Sequence, residues 1–345
     1  MQKLGIVIVT PALADANNGN WQTAQRWHQL LSQAYKVRLV QQWPDTAASE
    51  QDAALLALHA RRSAASVSAW ATAHGAACDA PGLAVVLTGT DLYRDIQRDP
   101  AAQQSLVLAK RLVVLQERGP DELAAALRPK TRVIFQSTAA RPTLVKPASQ
   151  LRAVMVGHLR DEKSPQTLFA ATRLLRDEQQ IFIDHIGEAL QPSLGDEARA
   201  TAAVCPQYRW LGGLGHEDTR RRIQRAHVLV HTSRIEGGAH VIMEALCSGT
   251  PVLASRIPGN QGMLGEDYAG YFDAGDAEAL AGLLRRCRQG QASWSPATGP
   301  GSAQEPLHDD WLAHLNAQCA QRAHLFTPDA ERAALLQLIT ELVEA

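Results

Sequence analysis

The stretch Ser233-Arg-Ile-Glu-Gly-Gly-Ala-His-Val-Ile-Met-Glu-Ala-Leu-Cys-Ser-Gly-Thr-Pro-Val-Leu-Ala-Ser255 sets two carboxylates, Glu236 and Glu244, around a glycine pair, with seven residues between them. If Gly237 and Gly238 turn the chain and Ala239 to Leu246 form a helix, Glu236 lies just before the helix N-terminus and Glu244 about two turns in. The unpaired N–H groups of the first turn, around Ala239, His240 and Val241, then lie between the two acids and favour an anion, for which a diphosphate is the obvious candidate. One acid is free to hold a sugar and the other a ribose. A capped amphipathic helix with one exposed glutamate is the competing reading of so short a pattern. The flanks decide between them: the pair follows the apolar run Ala226–His231 and precedes Gly249–Ser255, a turn into a second buried strand.

Other candidates carry less. Asn18, Gly19 and Asn20 follow a first apolar run and precede a helical pattern, so they form either an anion-binding backbone nest or an ordinary turn. His240 falls in the first helical turn after the glycine pair, where a neutral imidazole can donate to an anion. His227 and His231 have i,i+4 spacing, but on a strand that spacing does not converge on one ion, and no third ligand is near, so no metal is expected. Trp21 and Trp27 read as packing residues of an early amphipathic helix. With 34 Lys and Arg against 35 Asp and Glu, the net charge is −1, and no long basic run or clustered aromatic platform argues for nucleic acid. No apolar stretch approaches the roughly 18 residues of a membrane span. The apolar run Leu4–Val9 reads as a first strand and not a signal peptide. Five scattered cysteines without a Cys-x-x-Cys favour a reducing, cytoplasmic setting.

The elements that must position these residues alternate between strand and helix, which predicts parallel, doubly wound sheets. The first series comprises Leu4–Val9, a helix from about Trp21 to Ala34, Lys36–Gln41, a helix around Gln51–Arg62, then Leu83–Leu87, Leu112–Leu115 and Arg132–Phe135. A second begins at Leu151–Val156 and continues through Ile181–Ile186, Ala226–Val230 and Pro251–Ala254. At 345 residues the chain suits two α/β domains. The expected division is 1–138, a Pro-containing linker 139–150, a second domain 151–326, and a final helix 327–345 with Thr327 as N-cap and Pro328 at N1. Gln289–Glu305, rich in Gly, Ser, Pro and Gln, reads as a surface loop.

The region around Glu236 and Glu244 resembles the retaining glycosyltransferases of family 4. The resemblance implies the GT-B fold, two Rossmann-like domains facing across a cleft, the last helix crossing back to the first domain. It implies that Glu236 contacts the transferred sugar and Glu244 the nucleotide ribose. Val156-Gly-His-Leu-Arg-Asp-Glu-Lys-Ser-Pro165 resembles the family's Gly-Arg-Leu-x-x-x-Lys-Gly stretch, whose cations neutralise the departing diphosphate. Lys163 matches the lysine, His158 stands where the family has Arg, and Arg160 follows two residues on. Fixed cations stabilise a leaving diphosphate without a metal, so no cofactor is implied. Leu87-Thr-Gly-Thr-Asp-Leu-Tyr-Arg94 resembles the family's His-Gly-x-Asp-Leu stretch, with Thr88 in place of the His that approaches the reacting sugar. The acceptor side is then expected at Asn18, Gly19, Asn20, Thr88, Thr90, Asp91 and Arg94, with Arg26 a further candidate cation.

Several stretches resemble one subgroup of that family, the selenosugar synthases, which join selenophosphate to a UDP-sugar. They are Asn17–Asn20, Thr88–Arg94, Gly157–Arg160, Glu236–Ala239, Ala254–Gly265 and Gly270–Phe272. That resemblance implies UDP-N-acetylglucosamine or UDP-glucose and selenophosphate as small-molecule partners. A conventional transferase with a hydroxyl acceptor and a non-catalytic sugar-nucleotide sensor are the alternatives. Thr88 in place of His disfavours the first, and Glu236, Glu244 and Lys163 together disfavour the second.

Overall fold

The computed structural model describes residues 3–11, 19–45, 47–292 and 311–344. By contacts the chain divides into two compact units: Met1–Thr138 with Ile235–His240 and Leu325–Ala345, and Ala139–Arg234 with Val241–His324.

The first unit runs β1 (Gly5–Val9), α1 (Gly19–Leu31), β2 (Lys36–Val40), β3 (Asp52–Leu58), α2 (Ala64–Ala73), β4 (Ala80–Leu87), α3 (Ile96–Arg98), α4 (Pro100–Leu108), β5 (Ala109–Val114) and β6 (Thr131–Val133). Its six strands are all parallel in the order β2-β1-β3-β4-β5-β6. Successive strand side chains point to opposite faces, and both faces are covered. Ile6, Ile8, Leu56, Val86 and Val113 meet Trp27 and Leu31 of α1 and Leu335, Leu338 and Ile339 of the last helix. Val7, Leu55, Val85, Leu112 and Val114 meet Val67, Trp70 and Leu106.

The predicted helix around Gln51–Arg62 is instead the strand β3. Asp52-Ala-Ala-Leu-Leu-Ala-Leu58 is made of strong helix formers, but it pairs with β1 on one side and β4 on the other. An unbroken apolar run is what a parallel strand buried on both faces requires, and that tertiary demand overrides local propensity.

The second unit runs β7 (Leu151–Val156), α5 (Pro165–Leu174), β8 (Ile181–Ile186), α6 (Pro192–Val204), β9 (Tyr208–Trp210), α7 (His216–Arg225), β10 (Val228–His231), α8 (His240–Leu246), β11 (Val252–Ser255), α9 (Pro258–Leu264), β12 (Tyr271–Phe272), α10 (Ala277–Ala292) and α11 (Trp311–Ala323). Its strands are parallel in the order β12-β11-β10-β7-β8-β9. The short edge strands β9 and β12 have no counterpart in the sequence reading, because three and two residues leave no period to detect. The predicted loop at Gln289–Glu305 is corrected in part: α10 continues through Ala292, and 293–310 lie outside the described residues.

The last helix, α12 (Pro328–Val343), packs with the first unit. Thr327 caps it, its hydroxyl accepting from the Ala330 N–H at 3.3 Å, and Pro328 fills the first position, whose N–H needs no partner.

In the second sheet the chain goes outward from β7 to β9, then returns to β10 on the other side of β7. The loops leaving β7 and β10 at their carboxyl ends therefore diverge from a switch point, where open α/β sheets bind ligands. The two stretches richest in candidate residues, 157–163 and 232–244, begin in those loops, the second running on into α8.

Candidate active site

After β7 the chain passes through Gly157, His158, Leu159 and Arg160, makes one tight turn at Asp161–Lys163, and reaches Ser164 in the left-handed region with φ 47°. Ser164 stands where the family pattern has Gly, so that position asks for an unusual backbone, and a short polar side chain tolerates it. Its hydroxyl bonds that of Thr167 at 3.0 Å. The Lys163 carbonyl accepts from the Thr232 hydroxyl at 2.7 Å, and the Arg234 N–H donates to the Glu162 carbonyl at 2.8 Å. The loops from β7 and β10 are thus laced together within the second unit. A methyl group on Gly157 would touch the Lys163 stem at 3.5 Å, so the lysine lies along a residue without a side chain. His158 accepts from the Glu188 N–H through Nδ1 at 3.1 Å, which leaves Nε2 to carry the proton. Desolvation holds its pKa below the usual value, helped by the cations Arg160 and Lys163 against the pull of Glu188. Arg160 is exposed, with Nε 4.0 Å from Glu162.

Glu244, the fifth residue of α8, is 5% exposed. Its Oε1 lies 2.7 Å from Nε2 of His216, the first residue of α7, whose side chain is 65% exposed. That bond raises the His216 pKa against desolvation, with further help from the charges of Glu244 and Glu217 and opposition from Arg220. The sequence reading missed His216. Its only local signal is the run Gly212-Gly-Leu-Gly215 before a helix, and 28 residues separate it from its partner. Val241 and His240 are half-buried in the first turn of α8.

Residues Ile235–His240 group with the first unit. The glycine pair does turn the chain, but neither glycine has a positive φ. What they allow is close approach: a Cβ on Gly237 would run into the Thr88 carbonyl, and one on Gly238 would lie 2.8 Å from the Leu115 Cβ. Ala239, behind them, is buried. Glu236 is half-buried, and its charge reaches Tyr93. Burial above all, then the charges of Glu122 and Glu236, pushes the Tyr93 phenol well above its ordinary pKa.

The Thr88–Arg94 segment is organised by Asp91. This residue is fully buried, with Oδ1 accepting from the Thr88 and Gly89 N–H groups and Oδ2 from the Ala60 N–H, each at 2.9 Å. Its carboxylate holds the loop that carries the acceptor-side candidates Thr88, Thr90 and Arg94. Thr88 and Thr90 are half-buried. Thr90 Oγ1 lies 3.4 Å from Nε2 of His59, a buried histidine with φ 75° at the carboxyl end of β3 that the sequence reading also missed. Arg94 is exposed and donates to Asp95 at 3.2 Å. Arg26 is not an available cation, because its Nε pairs with the buried Glu331 at 2.9 Å. Gly19 and Asn20 open α1, the Gly19 carbonyl accepting from the Thr23 hydroxyl at 2.9 Å. Asn18 lies outside the described residues.

A cavity of about 360 Å³ lies elsewhere, under α7, lined by Arg152, Asp184, Asp218, Arg222 and Arg225 among others. Arg222 pairs with Asp184 at 3.0 Å, and none of Lys163, His158, Arg160, His216, Glu236 or Glu244 lines the cavity. Among the described residues no cluster of His, Cys, Asp or Glu could hold a metal ion, and no helix is long and apolar enough to cross a membrane.

Residues 136–292 match the family described as glycosyl transferases group 1. The D-inositol 3-phosphate glycosyltransferase of Streptomyces avermitilis is 27% identical, over 54% of this chain and 47% of that protein, so the chain spans about half the length of that curated relative. Sucrose-phosphate synthase from Thermosynechococcus elongatus superposes with a TM-score of 0.71 at 18% identity, covering 99% of each chain. Anabaena HepE in complex with UDP and glucose gives 0.69 at 14% identity, covering 98% of this chain and 99% of that one. The pneumococcal O-GlcNAc transferase GtfA, in complex with UDP and GlcNAc, gives 0.63 at 17% identity, covering 84% and 57%. At such identities the likeness is one of fold, and the fold is GT-B.

Proposed function

We propose that this chain is a glycosyltransferase that takes a hexose from a UDP-sugar, UDP-N-acetylglucosamine or UDP-glucose. We further propose that its acceptor is selenophosphate, which makes it a selenosugar synthase of selenoneine biosynthesis. The observation that carries the transferase reading is the pair of laced loops at the switch point of the second sheet, which offer Lys163 from β7 and, beyond β10, the buried Glu244. The group 1 match over 136–292 supports it, as do relatives of the same fold crystallised with UDP and a sugar.

In this reading Glu244 receives the ribose hydroxyls and Lys163 meets the diphosphate as charge develops on it. His158 offers Nε2–H where the family has a guanidinium, so Arg160 supplies the missing charge. Glu236 faces the reacting sugar. The selenium of selenophosphate attacks the anomeric carbon, the C–Se bond forms, and the C–O bond to UDP breaks with its electron pair leaving on the diphosphate. Water then attacks phosphorus, the P–Se bond breaks, and the products are a selenosugar, UDP and phosphate. An anionic selenium needs no general base, which is consistent with Thr88 in place of the family histidine. The resemblance of six separate stretches to the selenosugar synthases supports the same acceptor.

The test is incubation of the purified protein with each UDP-sugar and selenophosphate, read by mass spectrometry. The expected product is a hexose with the selenium isotope pattern, formed with stoichiometric UDP and only when selenophosphate is present. Efficient glycosylation of a hydroxyl acceptor without a selenium product would leave the transferase and remove the selenophosphate acceptor. Binding of UDP-sugar without turnover of any acceptor would favour a sensor.

A further inference from the structure

We propose that His216 is a positioning residue for the nucleotide: it holds the Glu244 carboxylate in the orientation that receives the ribose hydroxyls. The inference rests on the nucleotide-sugar reading and adds to it a residue from a different element. Glu244 is a buried acid whose carboxylate has, among the described residues, one hydrogen-bond partner, the His216 imidazole at 2.7 Å on Oε1. A carboxylate accepts at about four lone-pair sites, and a buried charge that is not hydrogen-bonded is costly. The protein therefore leaves most of this acceptor capacity for a ligand, and vicinal hydroxyls are donors of matching geometry.

The backbone on both sides is anchored. The Ser248 hydroxyl donates to the Glu244 carbonyl at 2.7 Å. The Thr219 hydroxyl and N–H both return to the Gly215 carbonyl, at 3.0 and 2.9 Å, which fixes the first turn of α7. Glu217, next to His216, is itself paired with Arg141, and Arg220 donates to the Ala139 carbonyl at 2.5 Å. The charged groups around the imidazole are thus Glu244 from α8 and Glu217 and Arg220 from α7. The Cys247 thiol at the end of α8, pushed up to about 11 by burial, stays neutral. Without His216 the carboxylate loses the donor that fixes its orientation and is free to rotate.

Calorimetric titration of UDP and of 2′-deoxy-UDP into the full-length protein and its His216→Ala and His216→Gln variants tests this across pH 6 to 8.5. The expected loss of UDP affinity in His216→Ala is about tenfold, as for one hydrogen bond to a charged group. His216→Gln, which keeps an N–H donor, should recover most of it. In steady state His216→Ala should raise the donor KM by more than it lowers kcat. Removing the ribose 2′-hydroxyl should cost the parent more than it costs His216→Ala, because hydroxyl and imidazole act through the same carboxylate. Parent affinity should decline relative to His216→Gln as pH rises through the imidazole's titration, a comparison in which the titration of UDP itself cancels. Equal UDP affinity in parent and His216→Ala, or equal costs of the missing hydroxyl, would overturn the role of His216 while the nucleotide-sugar reading stands. No UDP binding by the parent would overturn both.

Discussion

Among the described residues two glutamates are buried, one in each unit, and they are spent differently. Glu331 of α12 is 1% exposed and accepts from Arg26 Nε, from Trp27 Nε1 at 2.7 Å and from the Ser137 N–H at 2.8 Å. It ties α12 to α1 and to the segment after β6, both of its carboxylate oxygens accepting hydrogen bonds. Glu244 is nearly as buried, and among the described residues its carboxylate has His216 alone. Burial of an acid is therefore not what marks a site here. Acceptor capacity left unused by the protein is, because a buried polar group without partners is costly unless a ligand completes it.

The largest effect should come from Glu331→Ala, which strands the Arg26 guanidinium. A loss of about 3–5 kcal/mol is expected, as for breaking a buried ion pair from one side. Chemical denaturation reads it as a drop in midpoint at constant slope. Glu244→Ala in the same assay should cost under about 1 kcal/mol, since the partner it leaves behind is exposed. Similar losses in the two variants would break the contrast.

Catalysis should separate from stability at Glu236. Its replacement by Ala is expected to remove on the order of 2–4 kcal/mol of transition-state stabilisation, a drop of roughly thirty- to a thousandfold in kcat, with UDP affinity nearly intact. Full turnover in that variant would refute its placement at the reacting sugar.

Acid should weaken the second unit through His185, which lies under Phe169 and Tyr208 with a pKa lowered to about 4 by burial. A histidine with a depressed folded pKa stabilises the fold above its unfolded value and loses that contribution as pH falls. Between about pH 6.5 and 4 the loss should be on the order of 3 kcal/mol. His216 runs the other way, its raised pKa adding stability below about 6.5 that fades as pH rises. Denaturant midpoints that do not fall from pH 7 to 4.5 would contradict the buried neutral imidazole.

The smallest effect is the affinity change in Glu244→Gln. Loss of a charged acceptor for the ribose should weaken UDP binding by roughly 1–2 kcal/mol, or about five- to thirtyfold in Kd. An unchanged Kd would show that the unspent carboxylate serves something other than the nucleotide.

Much of the second unit was legible. Leu151–Val156 and Ile181–Ile186 are strands with the boundaries read from their apolar runs, because a short run between turn signals has few other places to go. The Thr-Pro start of α12 was equally plain, since cap chemistry is local. β3 was not legible: Ala and Leu satisfy a helix as well as a strand, and only its seat between β1 and β4 chose. The structural roles of Asp91 and Arg26 were not legible for a related reason. Both are polar residues beside a candidate site, and what consumes them, the Ala60 N–H and Glu331, lies 31 and 305 residues away.

The sequence by itself determined the alternation that builds two parallel sheets and the glycine pair between two acids. It also determined the lysine six residues beyond Gly157, which follows β7, because propensity, period and steric freedom act over a few residues. Only the tertiary structure decided which carboxylate is saturated and which is open, that the glycines serve close approach to Thr88 and Leu115, and that an imidazole from α7 meets Glu244. Those outcomes depend on loops brought together at the carboxyl ends of different strands, and hydrogen bonding reaches only about 3 Å through space whatever the distance along the chain.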